Sequence, residues 1–288
     1  MDSVEGYDAM RAPTHHLRYG QASDVGKTRS SNQDACMSFA TSQNGMLAQP
    51  GFGLFIVADG MGGHIDGEKA SSLCMRVVAE HVTQHAYLPM LTPGAARPNL
   101  MEVLNEGVLA ANLAVARQMP EGGTTITAIL THDEQAYISQ VGDSRAYLID
   151  LEEKAMQILT RDHSLVQRLV ELDQLTPEQA AEHPHRNILY RAIGQSEHLE
   201  LDSKVIALPP NAWLLLCSDG LWTVVPEERI IEIVVNAPDP QTACDRLIDT
   251  ANSYGGPDNI TAVLVELPTR SDQADDRDDT SAPREQGE

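Results

Sequence analysis

The stretch that decides the fold is Gly53-Leu54-Phe55-Ile56-Val57-Ala58-Asp59-Gly60-Met61-Gly62-Gly63-His64. Its first six residues form a short apolar run that ends at a glycine-rich turn, which is typical of a buried strand. A second run, Trp213-Leu214-Leu215-Leu216-Cys217, has the same character and is followed by Ser218-Asp219-Gly220. Asp59 and Asp219 therefore each stand where a buried strand ends. A carboxylate in that position is held rigidly, so both residues are candidate ligands for an ion.

Two further aspartate clusters occur at turn-like junctions, Arg29-Ser30-Ser31-Asn32-Gln33-Asp34 and Gly256-Pro257-Asp258-Asn259. Together the four clusters predict one metal site. Carboxylate and carbonyl oxygens suit Mg²⁺ or Mn²⁺, and the sequence has no Cys or His grouping of the kind that zinc prefers. Taken singly, each aspartate is better explained as a turn former or a helix cap, because Asp-Gly is a common turn dipeptide.

Helical and strand-like patterns fall into separate blocks along the chain. Residues 68–85 and 100–111 each place apolar side chains on one helical stripe. Three β-rich runs follow, at 125–130, 136–141 and 146–149, and predict an antiparallel meander. Later patterns predict a helix from Thr176-Pro177 onward, helices at 227–235 and 241–254, and a strand at 260–267. This order predicts an α+β fold of two antiparallel sheets with helices outside.

The composition limits the possible partners and the location. Lys and Arg total 20 against 42 Asp and Glu, a formal net charge of −22, which argues against nucleic acid or an anionic membrane as a partner. Such a protein should also repel phosphorylated molecules, so cations would have to reverse the field locally at any phosphate site. The four cysteines are widely spaced, no stretch reaches membrane-spanning length, and the acidic N-terminus does not resemble a signal peptide. A cytoplasmic location is expected.

The sequence predicts one domain with two loose ends. Residues 1–16 lack periodicity and are expected to be a loose leader, and 17–267 carry the motifs of a single domain. Residues 268–288 contain seven acidic and three basic residues and no apolar residue larger than alanine or proline. We expect this acidic tail to be disordered, because it cannot bury enough apolar surface to fold.

The motifs resemble those of the metal-dependent protein phosphatases of the PP2C (PPM) family in their bacterial form, from about residue 17 to residue 267. Other motifs in the same order extend the resemblance: Gly122-Gly123-Thr124-Thr125, Gly142-Asp143-Ser144-Arg145, Thr160-Arg161-Asp162-His163-Ser164, Arg186-Asn187-Ile188-Leu189 and Arg191-Ala192-Ile193-Gly194. The resemblance implies an α/β/β/α sandwich with the metal site at one end between the sheets. It also implies a monomeric enzyme that hydrolyses phosphoserine and phosphothreonine in proteins, by direct attack of a water that bridges two divalent ions, and opposes a Ser/Thr kinase.

The resemblance also implies a role for each site residue. Asp59 would bridge two Mg²⁺ or Mn²⁺ ions, with Asp34 and the Gly60 carbonyl on one side and Asp219 and Asp258 on the other. Asp162 would bind a third, weaker ion. Arg29 would hold the substrate phosphate, since a guanidinium pairs two phosphate oxygens, and His64 would protonate the leaving alkoxide.

Simpler interpretations exist for several of these residues. Arg29 lies in a wholly polar loop and could be a surface arginine, His64 could serve only as a structural hydrogen-bonding residue, and Asp162 could cap a helix. Asp143 and Ser144 are expected to form hydrogen bonds at a sheet end rather than to bind an ion. Gln33 replaces a glutamate found in eukaryotic relatives and offers no charged ligand.

Two other functions compete with the phosphatase. One is a catalytically weak pseudophosphatase that serves as a regulatory binding module, although none of the expected metal-binding aspartates is missing. The other is a two-metal phosphodiesterase or nuclease, which the acidity of the chain and the lack of a basic groove disfavour.

Overall fold

The computed structural model describes residues 17–41, 51–62 and 66–267. The predicted leader, the predicted acidic tail and His64 lie outside the described residues. The strands are β1 (Arg18–Asp24), β2 (Asp34–Thr41), β3 (Phe52–Gly62), β4 (Gly122–Thr124), β5 (Ile126–His132), β6 (Gln135–Val141), β7 (Arg145–Asp150), β8 (Ala155–Ile158), β9 (Asp202–Ala207), β10 (Ala212–Cys217) and β11 (Ile260–Glu266).

The helices follow the strands in blocks, as the sequence predicts. They are α1 (Asp66–Val82), which continues as a π-helical turn over Thr83–Tyr87, α2 (Leu88–Leu91), α3 (Leu100–Gln118), α4 (Leu165–Glu171), α5 (Pro177–Ala181), α6 (Asp219–Trp222), α7 (Glu227–Val235) and α8 (Pro240–Ser253). No helix among the described residues is both long and apolar enough to cross a membrane.

Two antiparallel sheets form the centre of the fold. One has the order β1-β11-β10-β7-β8, and the other has the order β2-β3-β5-β6-β9, with β4 paired to β3. Both sheets are covered on the outside by helices: α1 and α3 pack on the second sheet, and α7 and α8 on the first. The predicted α+β class with helix, sheet, sheet and helix layers is confirmed.

Side chains alternate between two buried faces along β3 and β10, which explains why the sequence of each strand is a continuous apolar run. In β3, Leu54 and Ile56 pack under α1 and α3, whereas Phe55 and Val57 face the other sheet. In β10, Leu215 packs against the outer helices while its neighbours face the inter-sheet core. Because successive side chains of a strand point to opposite faces, a strand covered on both faces needs apolar residues at every position.

The predicted three-stranded meander is wrong at its third strand. β5 and β6 are neighbours in one sheet, but β7 pairs with β10 and β8 in the other. The chain changes sheets at Gly142, whose φ of 106° is a conformation that side chains other than glycine rarely adopt. Alternation in the sequence identifies a strand but not its partner, so this crossover was not visible in the pattern.

Candidate metal centre

The first two candidate ligands meet across neighbouring strands of one sheet. Asp34 begins β2 and lies opposite Asp59 near the end of β3. The backbone of Asp59 is fixed from the other side, because its N–H donates to Thr125 Oγ1 at 3.0 Å and its carbonyl accepts from Thr125 N at 2.8 Å and Thr124 Oγ1 at 2.9 Å. These contacts hold the Asp59 carboxylate at the end of the sheet.

The other two candidate ligands come from the second sheet. Asp219 follows β10 and starts the short helix α6, and Asp258 lies two residues before β11. The two loops touch, since a Cβ added to Gly220 would lie 1.9 Å from the carbonyl oxygen of Asn259. Only glycine allows this approach, which explains the Asp-Gly sequence after β10.

Two hydroxyl groups join the sheets at Asp34. Ser218 Oγ donates to Asp34 Oδ2 at 2.8 Å, and Thr261 Oγ1 donates to the same oxygen at 2.6 Å. The Thr261 N–H in turn donates to Ser218 Oγ at 3.0 Å. The sequence did not reveal this role of either hydroxyl. The available signal was that Ser218 directly precedes Asp219.

Asn259 fixes the loop that carries the first motif. Its Oδ1 accepts from the Gln33 N–H at 2.9 Å, and its Nδ2 donates to the carbonyls of Val25 and Ser31 at 3.0 and 2.9 Å. Its own N–H donates to Asp258 Oδ1 at 2.9 Å. One amide side chain therefore sets the distance between the first and last aspartate clusters, a role that the sequence did not reveal.

Burial and mutual repulsion disfavour the charged form of these carboxyls. Burial, with the Asp258 charge adding to it, raises the pKa of Asp34 to about 6 despite the hydrogen bonds from Thr261 and Ser218. Burial also raises the pKa values of Asp59 and Asp219 well above the usual range, and the charges of nearby carboxylates raise them further. A polyvalent cation would relieve both the desolvation and the repulsion.

The residues present fit such a cation. Asp34 Oδ1 and Asp219 Oδ1 are buried, and neither accepts a hydrogen bond from a donor among the described residues. Buried acceptors without donors are costly, and a metal ion satisfies them. A Cβ at Gly60 would lie 2.2 Å from the Gly67 carbonyl oxygen, so only glycine lets β3 approach the start of α1 this closely.

The carboxylates of the described residues are not grouped as closely as the ligands of a bound ion. Within residues 17–41, 51–62 and 66–267, no group of three or more His, Cys, Asp or Glu side chains has that arrangement. Hydrogen-bond donors hold some of the oxygens instead: Ser218 and Thr261 bind Asp34, and Arg29 binds Asp258. Ser218 and Thr261 bind only Oδ2 of Asp34, so its Oδ1 stays available to an ion.

Arg29 lies at the edge of the carboxylate group. Its Nη2 donates to Asp258 Oδ2 at 2.7 Å, and 53% of its side chain is exposed. The hydrogen bond to Asp258 is the main cause of its raised pKa, and burial acts in the opposite direction. The negative charges of Asp258, Asp219 and Asp59 raise the pKa further. A half-exposed guanidinium anchored beside the centre is placed to contact an anion arriving from solvent.

Asp162 is committed to an ion pair. The Arg145 guanidinium donates to both of its carboxylate oxygens, at distances between 2.7 and 3.2 Å, and lies 3.4 Å over the Trp222 ring.

Asp143 is the neighbouring carboxyl that acts electrostatically on the centre. Burial is the largest cause of the raised pKa of Asp219, and the charge of Asp143 is the second largest. Burial raises the pKa of Asp143 itself to about 7.

Comparisons with known proteins identify the family. The model of the protein phosphatase 2C family matches residues 26–264. The chain is 38% identical over 247 residues to the serine/threonine phosphatase stp of Listeria monocytogenes, covering 84% of this chain and 93% of that protein.

Solved structures agree with the sequence relatives. The structure of the Mycobacterium tuberculosis serine/threonine phosphatase PstP/Ppp superposes with a TM-score of 0.73 at 34% identity, covering 88% of this chain and 99% of that one. The catalytic domain of PstP in complex with two manganese ions gives a TM-score of 0.70 at 33% identity with the same coverage. The chain belongs to the protein phosphatase 2C family, in the class of bacterial metal-dependent serine/threonine protein phosphatases.

Proposed function

We propose that this protein hydrolyses phosphoserine and phosphothreonine in phosphoproteins at the carboxylate centre, with two divalent ions bound there. The observation that carries the proposal is the convergence of Asp34, Asp59, Asp219 and Asp258 from two sheets, with buried oxygens that lack donors. A relative that was solved with two manganese ions supports the same number of ions.

Each carboxylate has a role that follows from its position. Asp59 would be the central ligand, because it lies opposite Asp34 on the neighbouring strand and feels the charges of Asp219 and Asp258 from the other sheet. When bound, the two ions supply a water nucleophile at neutral pH and neutralise the phosphate oxygens. Ser218 and Thr261 orient Asp34, and Asn259 fixes the loop that contains Arg29 relative to Asp258.

Arg29 and His64 complete the proposed chemistry. Arg29 holds the substrate phosphate through its exposed guanidinium and keeps the phosphorus beside the centre. His64 donates a proton to the leaving oxygen, which an alkoxide needs because it is a poor leaving group.

A third, weaker ion is part of the proposal, and its ligands define two alternatives. Asp162 is the residue that the family resemblance selects, and it would have to leave its ion pair with Arg145. Asp143 would need no such exchange, since its charge already acts on Asp219. Mg²⁺ and Mn²⁺ both suit this all-oxygen set of ligands.

We further propose a cytoplasmic monomer that opposes a Ser/Thr kinase. All four cysteines are free thiols, which is compatible with a reducing compartment. The net charge of −22 disfavours nucleic acid and anionic membranes as partners.

Hydrolysis assays with Mn²⁺ test the proposal. Phosphothreonine peptides and p-nitrophenyl phosphate should be hydrolysed, and bis-p-nitrophenyl phosphate should react far more slowly. Preference for the diester would support a phosphodiesterase, and absence of turnover on every substrate would support the pseudophosphatase alternative.

A further inference from the structure

A pocket lined by three arginines lies between α4 and the segment that connects α5 to β9. The pocket has a volume of about 860 Å³, and its lining includes Arg161, Arg168, Tyr190, Arg191, His198 and Glu200. Three arginines in one concavity stand out in a chain with only 20 Lys and Arg against 42 Asp and Glu.

The charges in the pocket are not evenly matched. Arg161 and Arg168 both donate to the single carboxylate of Glu171, so this corner keeps an excess positive charge. Arg191, in contrast, contacts both Glu200 and Asp202 at 3.0 Å, so that corner carries one excess negative charge. The excess positive charge of the pocket is therefore on the side of Arg161 and Arg168.

Several hydrogen-bond donors on this side have no partner among the described residues. Arg161 uses Nε and Nη2 on Glu171, and Arg168 uses only Nη1, so the other guanidinium nitrogens and the Tyr190 hydroxyl donate to no described residue. About half of each arginine side chain is exposed. Arg161 holds the Glu171 carboxylate in a guanidinium fork, and a phosphate accepts the same geometry.

The pocket is linked by hydrogen bonds to the loop between β6 and β7. Arg191 Nη1 lies 3.2 Å from His163 Nε2, and His163 Nδ1 accepts from the Gly142 N–H at 3.1 Å. Gly142 precedes Asp143, whose charge acts on Asp219. These contacts link the pocket, through His163 and Gly142, to the loop that contains Asp143.

Exposed apolar residues beside the arginines indicate a peptide rather than a free ion. Leu172 is half exposed, as are Ile188 and Tyr190. The backbones of Leu165 and Tyr190 hydrogen-bond to those of Ile188 and His163, so Ile188 and Tyr190 sit on a tethered segment. An extended peptide could place apolar atoms on these residues and an anionic side chain on the arginines.

We propose that Arg161, Arg168 and Tyr190 form a subsite for an acidic or phosphorylated residue that flanks the target phosphoserine or phosphothreonine. The inference rests on the proposed function, because it describes the substrates of that same centre. It predicts that flanking carboxylates and second phosphates raise kcat/KM, against the general repulsion from a protein of net charge −22.

A peptide scan tests the subsite. One phosphothreonine peptide is prepared with a single Glu, phosphoserine or Gln at each position from four before to four after the target. At one or two adjacent positions, Glu should raise kcat/KM about three- to tenfold over Gln, and phosphoserine should raise it further. Equal values for Glu and Gln at every position would overturn the proposal.

Variants assign the preference to the arginines. Arg168→Gln should reduce the Glu-to-Gln ratio towards one, and Glu171→Gln should increase it, because it removes the negative charge that partly neutralises the two arginines. Arg229→Gln, which removes an exposed arginine paired with Glu232 on α7, is the matched control and should keep the wild-type ratio. A ratio that Arg168→Gln leaves unchanged, or that Glu171→Gln lowers, would overturn the assignment.

Binding measurements separate this proposal from the proposed function. Fluorescence anisotropy with Asp219→Asn protein reports the affinity for the same peptides without turnover. If the wild-type enzyme hydrolyses no peptide but the variant still prefers the acidic ones, the function fails and the subsite stands. Normal turnover without any acidic preference removes the subsite alone.

Discussion

Asp34 and Asp59 are directly opposed residues of the antiparallel strand pair β2 and β3. A sheet that places two carboxyls opposite each other at its end builds repulsion into the native state, and burial adds to the cost. A bound cation would offset this electrostatic cost. The opposed position of Asp34 and Asp59 therefore affects three properties: the affinity for metal, the stability of the metal-free protein, and the dependence of that stability on pH.

The pH dependence of metal-free stability is the first prediction. The pKa of Asp34 is raised to about 6 and that of Asp143 to about 7, from an ordinary value of 3.8. Between about pH 4 and pH 7 the folded state therefore binds more protons than the unfolded chain, so the free energy of unfolding falls as the pH rises. In EDTA, Tm should be higher at pH 5.5 than at pH 7.5.

Two controls define this prediction. Excess Mn²⁺ should remove the fall in Tm between the two pH values, and Asp59→Asn should raise the Tm of metal-free protein at pH 7.5 by removing one of the repelling charges. A metal-free Tm that rises steadily from pH 5.5 to pH 7.5 would contradict the account.

The hydroxyls that bind Asp34 should matter for metal affinity. Thr261→Val and Ser218→Ala each remove a donor that orients the carboxylate, and loss of such an outer contact typically weakens metal binding by about 10- to 100-fold. The measurement is the Mn²⁺ concentration that gives half-maximal activity. Thr131→Val is a matched control, because the buried Thr131 hydroxyl has no hydrogen-bond partner among the described residues. Equal Mn²⁺ requirements in all of these variants would show that the hydroxyls only join the sheets.

Arg29 should act on substrate binding. Arg29→Gln should lower kcat/KM by about 10- to 100-fold, with weaker competitive inhibition by inorganic phosphate, since a charge-assisted fork is lost. Arg18→Gln is matched for exposure, 54% against 53%, and also removes an arginine from an ion pair with an acidic residue. If the two variants have the same inhibition constant for phosphate, Arg29 is a surface arginine.

The role of His64 can be tested by the leaving group. p-Nitrophenolate hardly needs a proton and an alkoxide does, so His64→Ala should lose far more activity on a phosphothreonine peptide than on p-nitrophenyl phosphate. His85→Ala, which replaces an exposed histidine of the π-helical turn, controls for the loss of an imidazole. Parallel losses on both substrates would assign His64 a structural role.

The sequence predicts those residues of the centre whose position can be recognised from the few residues around them. Asp59 and Asp219 could be placed because each ends an apolar run whose strand character is visible within a few residues. The contacts from Ser218 and Thr261 to Asp34 span 184 and 227 positions, so no window of sequence contains both partners.

The same limit explains the two places where structure added most. The change of sheet at Gly142 depends on which strands pair, and alternation does not encode the partner. The Arg145 and Asp162 ion pair arises because β7 carries Arg145 to the loop before α4, which could be seen only once the β7 pairing was known.

Metal dependence tests the central claim most directly. Wild-type protein exhaustively treated with EDTA should lose activity on a phosphothreonine peptide and regain it with Mn²⁺ or Mg²⁺, whereas Asp219→Asn should stay folded yet fall by orders of magnitude at any ion concentration. Full activity in chelated protein, or near wild-type turnover by Asp219→Asn, would contradict a metal-dependent carboxylate centre.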